Sequence, residues 1–291
     1  MSEKIKFFKD EKINNGFKVH GARHEEGIVA NYPGLNNAAS QPVWTLAQWG
    51  VYCNPLKDST KRVNLENGGF IYETPSIKIT SHPQNDEYDL RMELCSTEEY
   101  KGHVRNYGED WCHILLEQGD LCFDTPFLGE LDELRYTADL SIDYCDCRMK
   151  KDVFSHNTHS CQVHQYLTVQ DLKKGHFMWF GIPFYDHRYE VFPGYIGIDS
   201  GKEDASGQII INHAQNAFSN EKVIVGDWVH YDVDLLPLIK KAIEIAWGYN
   251  KFLDADLNDI KITSTNIGWE MFYEFNGAVK IKNMQLTGTK R

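Results

Sequence analysis

The sequence of 291 residues has no apolar run close to the roughly 20 residues that a membrane-spanning helix needs. It also lacks the glycine-rich patterns that cradle phosphates and the Gly-x-Ser-x-Gly elbow, which disfavours nucleotide-dependent and serine-hydrolase functions. The first ten residues are charged and contain no apolar segment typical of a secretory signal. We therefore expect a cytoplasmic protein, or a secreted protein whose leader has been removed. Because repeats, low-complexity tracts and linkers are absent too, we expect one domain over residues 1–291.

Positive charge is scarce, with 30 Lys and Arg against 42 Asp and Glu and a formal net charge of -12. This balance argues against general binding to nucleic acid or to an anionic membrane. Cysteine is present, but the seven residues are an odd number and are scattered along the chain. We expect reduced thiols rather than a disulfide framework. Cys145-Asp-Cys147 does not have the spacing of a redox motif and is interpreted as two thiols on one face of a strand.

Alternation of apolar and polar residues is the main structural signal and predicts half-buried strands. It extends over residues 88–95, 134–144 and 161–170. Further strands are expected at residues 177–184, 208–211, 223–225, 228–233, 260–264 and 278–286. Residues 234–248 are expected to form a helix, because Asp234 can cap it and the segment has an apolar stripe and a terminal glycine. These elements predict an all-β protein, an antiparallel β-sandwich of the jelly-roll kind with one late α-helix.

The strand at residues 161–170 has the most informative face. Gln162, His164 and Tyr166 follow one another along it about 7 Å apart, and all three can exchange hydrogen bonds. An ordinary solvated sheet face is the alternative interpretation, but such a face would carry more Lys, Glu and Thr. The aromatic content of 13% also suits a sugar-binding surface, because Trp and Tyr rings pack against the C–H face of a pyranose.

Two short segments resemble the alginate-lyase-like group of carbohydrate-active proteins, which are concanavalin-like jelly rolls that bind glycans across one concave sheet. Arg91-Met-Glu-Leu resembles the group's Arg-x-Glu-Leu-Arg strand, with Cys95 in place of the second arginine. Gln162-Val-His164 resembles its Gln-Ile/Val-His strand. The resemblance implies that Arg91 and Gln162 neutralise a substrate carboxylate and that His164 is the general base. The late tyrosine motif of the group is not found, so Tyr166 is proposed for its role.

A glycoside hydrolase would instead need two carboxylates on either side of the scissile bond. Glu93 with a second carboxylate, for which Glu270 is one choice, is the hydrolase alternative. Residues 130–135 resemble the Glu-x-Asp-x-x-Glu strand of laminarinase-type enzymes, but Arg135 takes the place of a catalytic carboxylate.

Residues 177–189 form the densest aromatic run, and the second half of this run is polar. A loop at a groove edge can present such side chains to a sugar. The alternative is a surface turn with one tucked tyrosine. The expected sugar-contacting residues are Trp179, Tyr185, His187, Arg188 and Tyr189.

Several histidines and cysteines have the residue types of a metal site, namely His156, His159, Cys161 and His164. In an extended strand, however, His159 and Cys161 point away from His164. We therefore expect no metal site and no cofactor.

A structural Ca²⁺ is implied only by the resemblance to carbohydrate jelly rolls. Its oxygen donors would come from Asp254 and Asp256, or from residues 85–87 (Asn-Asp-Glu).

Taken together, the sequence predicts a protein that recognises a poly- or oligosaccharide in a groove on one concave sheet. The groove is expected to be lined by Arg91, Glu93, Gln162, His164 and Tyr166. Three alternatives stay open at this point: a polysaccharide lyase acting by β-elimination, a glycoside hydrolase, and a non-catalytic interaction protein. The sugar and the oligomeric state are not indicated.

Overall fold

The computed structural model describes residues 4–35, 41–82, 87–200 and 205–291. These residues form seventeen strands and two α-helices. The strands are β1 (Lys4–Lys6), β2 (Gly16–His20), β3 (Ile28–Pro33), β4 (Trp44–Ala47), β5 (Arg62–Asn64), β6 (Phe70–Glu73), β7 (Ile77–Ser81), β8 (Leu90–Cys95), β9 (Cys112–Gln118), β10 (Leu131–Cys147), β11 (Cys161–Asp171), β12 (Phe177–Asp186), β13 (Tyr195–Ile198), β14 (Ile209–Asn212), β15 (Trp228–Asp234), β16 (Ile260–Met271) and β17 (Phe275–Lys290). The helices are α1 (Thr97–Tyr100) and α2 (Leu235–Trp247).

The strands form two sheets. The eight-stranded sheet has the order β15-β10-β17-β8-β7-β6-β5, and β1 also pairs with β17. The nine-stranded sheet has the order β13-β14-β12-β11-β16-β9-β4-β2-β3. All pairings are antiparallel except β12 with β14 and β2 with β4. The predicted all-β sandwich is confirmed, and no described helix is long and apolar enough to cross a membrane.

The core lies between the two sheets and takes alternate residues from each strand. On β11 these are Val163, Leu167 and Val169, all fully buried. Gln165 breaks this apolar pattern, but its side chain accepts a 2.5 Å hydrogen bond from Tyr136 Oη and donates a 2.9 Å bond to Thr265. A buried amide whose hydrogen bonds are made adds little cost, which explains why β11 continues through this position.

The late helix forms as predicted. Asp234 caps it by accepting a hydrogen bond from the backbone N–H of Leu236 at 3.1 Å. The apolar side of α2 is buried, and Gly248 follows its last residue. The short helix α1 was not predicted.

Two local predictions are wrong. Residues 223–225 form no strand, because the chain there enters a turn in which Gly226 has a φ of +94° and its N–H bonds Ile142. Tyr144, expected in the core, instead donates a 2.6 Å bond to Glu93 on the outer side of the eight-stranded sheet. A β-bulge between Ile142 and Tyr144 reverses the side-chain direction there.

Candidate functional site

The nine-stranded sheet has an outward side that carries a dense set of polar residues. Because Val163 and Leu167 of β11 point into the core, the alternate residues Gln162, His164 and Tyr166 point outward. The register of the neighbouring strands places further polar side chains beside them. We call this set the polar face; its members are His113, Glu117, Gln162, His164, Tyr166, Asp186, Asn212, Asn266 and Glu270.

The rungs of the sheet order these side chains. In one rung, Gln162 lies between Asp186 of β12 and Glu270 of β16, and Glu270 is opposite His113 of β9. The next outward-facing residue of β11 after Gln162 is His164, and the one after that is Tyr166. In the rung of Tyr166, Tyr166 is opposite Asn266 of β16, and Asn266 is opposite Glu117 of β9. The sheet therefore gathers residues about 150 positions apart in the sequence into two rows, with the His164 rung between them.

His164, Tyr166 and Asn212 form a hydrogen-bonded cluster near the centre of the polar face. His164 Nδ1 lies 3.2 Å from Tyr166 Oη and 3.3 Å from Asn212 Nδ2. Both partners can donate, so Nδ1 acts as the acceptor and Nε2 carries the proton. Gly181 makes room for this cluster, because a Cβ there would lie 2.0 Å from Asn212 Oδ1.

The environment of His164 keeps its ring neutral. Burial lowers the pKa of His164 to about 4, although Glu270 and Asp186 partly oppose this effect. Burial also raises the pKa of Tyr166 well above its ordinary value. At neutral pH both groups are therefore uncharged, and they offer hydrogen bonds rather than charge.

Glu270 is held as a carboxylate. Burial raises its pKa, but hydrogen bonds and charge from His113, together with His164 and Trp111, outweigh burial and leave the pKa below its ordinary value. Glu270 Oε2 lies 3.2 Å from Trp111 Nε1 and 3.5 Å from His113 Nε2.

The pKa of Glu117 is shifted in the opposite direction. Burial raises its pKa to about 7, and a hydrogen bond with Trp49 only partly compensates. Two carboxyl groups of the polar face thus differ in charge, because Glu270 is ionised and Glu117 is about half protonated at neutral pH.

Four buried side-chain atoms of the polar face have no hydrogen-bond partner among the described residues: His113 Nδ1, His164 Nε2, Asn212 Oδ1 and Asn266 Oδ1. Folded proteins leave only a few such atoms per 100 residues, because each costs about 1–3 kcal/mol. Four of them on one side of one sheet indicate a place where ligand hydroxyls or ordered water complete the bonding.

Aromatic rings surround this polar centre. Trp179 packs edge-on against Tyr166, with ring centroids 6.4 Å apart, and its indole N–H donates to Ser206. At the other end of the face, Trp111 stacks on Phe272 with centroids 4.5 Å apart. Trp179 and Trp111 are only half-buried, so part of each indole ring is exposed.

Asp186 and Arg188 close one end of the polar face. Asp186 is buried, and Arg188 reaches both of its oxygens, with Nε–Oδ1 at 2.9 Å and Nη2–Oδ2 at 2.6 Å. Such a bidentate pair fixes the guanidinium plane and satisfies the carboxylate.

The structure does not bring Arg91 and Glu93 to this place, and the prediction that they line the same groove is wrong. Both are on β8 in the other sheet, where they face away from the core. Arg91 binds Glu93 at 2.5 Å and Asp143 at 2.9 Å in a charged network on that surface. The alternation with a period of two residues correctly predicted that both side chains face away from the core, but it could not predict which sheet contains their strand.

The sugar-contacting candidates divide into two groups. Trp179 and Arg188 lie at the polar face, and Tyr189 packs on Phe192, whose ring in turn contacts His164 with centroids 5.1 Å apart. Tyr185 and His187 point elsewhere.

The ring of Tyr185 packs on the buried Trp269, and that of His187 on the buried Phe275. A register shift in the pairing of β11 with β12, between Val163 and His164, accounts for the inward direction of Tyr185.

No group of three or more His, Cys, Asp or Glu side chains converges as a metal site among the residues the structure describes. His156 and His159 pack on Tyr189 and Tyr273. Asp256 accepts hydrogen bonds from Asn258.

The proposed Ca²⁺ donors Asn85 and Asp86 lie outside the described residues, and Glu87 pairs with Lys280 at 3.0 Å. In the laminarinase-like segment, Glu130 accepts from the Phe127 N–H at 2.7 Å.

Sequence reasoning missed Trp49, His113, Glu117, Asn212 and Asn266. β9 has the sequence Cys-His-Ile-Leu-Leu-Glu-Gln, in which three apolar residues in a row interrupt any alternation of apolar and polar residues. The useful signal was the spacing of His113 and Glu117, four positions apart and therefore on one side of a strand.

No protein-family model and no curated protein matches the sequence. A family 12 xyloglucanase from Bacillus licheniformis is similar in structure, with 12% identity, 79% of this chain and 97% of its own chain covered, and a TM-score of 0.43. A family 11 xylanase from Neocallimastix patriciarum has 8% identity, covers 80% and 96%, and has a TM-score of 0.39. A mannan-recognising carbohydrate-binding module has 10% identity, covers 100% and 96%, and has a TM-score of 0.25. At these scores and identities the likenesses carry no argument about the function of this chain.

Proposed function

We propose that the polar face binds a segment of an uncharged oligo- or polysaccharide. The observation that carries this proposal is the group of four unpaired buried polar atoms between half-buried indole rings. Sugar hydroxyls donate and accept hydrogen bonds and match this mixture of N–H and C=O groups, while the indole faces pack against C–H groups.

The charge of the face supports an uncharged glycan. Its central carboxylate, Glu270, is ionised, and His164 is neutral. Arg188, at one end of the face, is already bound to Asp186 by two bonds. Arg105 lies over the Trp111 ring, and its guanidinium donates to the backbone carbonyl oxygens of Glu109 and Asp110. A uronic acid would therefore meet like charge at the centre. β-Elimination also lacks its predicted neutraliser, because Arg91 is on the other sheet.

Hydrolysis is the second candidate, and one observation favours it. The pKa of Glu117 is raised to about 7, which suits a general acid, and the pKa of Glu270 is lowered, which suits its ionised partner. The register argues against a close pair, however. The two residues are four positions apart along neighbouring strands, or about 13 Å along the strand direction. Inverting enzymes place their carboxyl groups about 6.5–9.5 Å apart, so binding is the better supported function.

The test is titration calorimetry with matched neutral and uronic oligosaccharides, using wild-type protein, Trp179→Ala and Trp228→Ala. Trp228 is the matched control, because it lies at the start of β15 in the other sheet. We expect binding of a neutral glycan that weakens about tenfold or more in Trp179→Ala, a loss of about 1.4 kcal/mol, and is unchanged in Trp228→Ala. Equal loss in both variants, or no binding across the panel, would contradict the proposal. Reducing ends released by the wild type but not by Glu117→Gln would show hydrolysis.

A further inference from the structure

Two cysteine sulfurs meet where the two sheets of the sandwich approach each other. Cys145 is near the end of β10 in the eight-stranded sheet, and Cys161 is the first residue of β11 in the nine-stranded sheet. Their Sγ atoms are 3.4 Å apart, and both cysteines are reduced. A disulfide has an S–S length of about 2.05 Å, so an approach of about 1.4 Å would join them.

The two thiols have unequal surroundings. Cys161 is fully buried, and burial raises its pKa well above the ordinary value. Cys145 is only partly buried. A hydrogen bond with Cys161 lowers the pKa of Cys145 below its ordinary value; burial opposes this, and hydrogen bonds with His187 and Tyr185 add to it.

Among the cysteines whose environment shifts the pKa, only Cys145 has a lowered pKa. Burial raises the pKa of Cys95, Cys112 and Cys147. Cys147 is the most useful comparison, because it lies only two residues from Cys145 on the same strand and is also partly buried.

We propose that Cys145 and Cys161 form a redox site at which hydrogen peroxide creates a disulfide between the two sheets. The Cys145 thiolate attacks the peroxide, breaks its O–O bond and becomes a sulfenic acid, while the departing oxygen takes up a proton and leaves as water. The Cys161 sulfur then attacks the Cys145 sulfur, and the sulfenic oxygen leaves as a second water with the Cys161 proton. Two thiols are oxidised and one peroxide is reduced.

This site is independent of glycan binding but adjoins the polar face. Cys161 directly precedes Gln162, and the backbone N–H of His187 bonds the carbonyl oxygen of Cys161 at 2.9 Å. A cross-link would fix the start of β11, and with it the end of the polar face that carries Gln162 and Asp186.

The experiment treats reduced wild-type protein with hydrogen peroxide, alkylates the remaining thiols, and maps disulfides by mass spectrometry without reduction. Cys145→Ser and Cys147→Ser are compared as a matched pair. We expect a peptide linking residues 145 and 161, two fewer alkylated thiols than in the reduced protein, and the same link in Cys147→Ser. The link should be absent in Cys145→Ser, and dithiothreitol should reverse it.

Three results would overturn the proposal. They are the absence of any cross-link in wild-type protein, a link that uses Cys147 or Cys53 instead, and a 145–161 link that persists only when Cys147 is present. The mapping uses folded wild-type protein, so a variant that fails to fold does not affect the first two results. Circular dichroism of each variant accompanies the third comparison.

Discussion

Replacing Glu117 by Gln tests whether burial in the polar face makes the ionised form of this carboxyl group unfavourable. Its pKa is raised from an ordinary value of 4.5 to about 7, first by burial, with the Trp49 hydrogen bond opposing. One pH unit between the folded and unfolded pKa is worth about 1.4 kcal/mol, so ionising Glu117 in the folded protein costs roughly 3–4 kcal/mol. Glutamine keeps an oxygen acceptor for Trp49 and removes the charge.

The sign of the effect follows from which state binds the proton more tightly. Between pH 4.5 and 7 the folded protein holds the Glu117 proton and the unfolded chain has lost it, so wild-type stability falls as the pH rises through this range. Glu117→Gln has no such loss. The free energy of unfolding in urea, measured from pH 4.5 to 8, should therefore rise in the variant relative to wild type, by about 3 kcal/mol at pH 7 to 8.

The same measurement on Glu270→Gln provides a control of opposite sign. The pKa of Glu270 is lowered, so this group stabilises the folded protein above the unfolded pKa, and its contribution fades in acid. Its replacement should destabilise the protein most at neutral pH. Parallel pH profiles for wild type and Glu117→Gln would refute the raised pKa and the division of roles between the two carboxyl groups.

Three further changes test other parts of the structure. Burial lowers the pKa of His164 to about 4, so between pH 6.5 and 4 the unfolded chain binds a proton that the folded protein does not. The free energy of unfolding should therefore fall by up to about 3 kcal/mol as the pH decreases through this range, and His164→Gln should flatten that part of the urea profile. Gly181→Ala would place a Cβ 2.0 Å from Asn212 Oδ1, and we expect a loss of roughly 1–3 kcal/mol in stability together with weaker glycan binding by calorimetry. Asp234→Ala removes the cap of α2 and should cost about 1 kcal/mol in urea unfolding without affecting ligand affinity.

The sequence was most informative where strands are long and amphipathic. The alternation in β11 predicted the side on which Gln162, His164 and Tyr166 lie, because a period of two residues determines which side chains share a side. It could not predict the partners of β11, since strand order depends on contacts between residues far apart in the chain. Arg91 was therefore assigned to the wrong sheet.

The residues that complete the polar face were missed for a related reason. Glu117 and Asn266 belong to the same rung as Tyr166 only through the registers of β9 and β16. The raised pKa of Glu117 and the unpaired Oδ1 of Asn266 are consequences of burial, which a linear pattern of residue types does not contain. The late helix was predictable because its cap, stripe and final glycine are all local.

The position of β17 has a consequence for how the chain folds during its synthesis. β17 is the last described strand in the sequence, yet it lies in the interior of its sheet, between β10 and β8. It also pairs with β1. While a ribosome is still producing this segment, β10 and β8 each have an edge without its final partner. Such edges can pair with other chains. We therefore expect nascent or C-terminally shortened chains to aggregate or to require a chaperone, even though every residue of the polar face would already have been made.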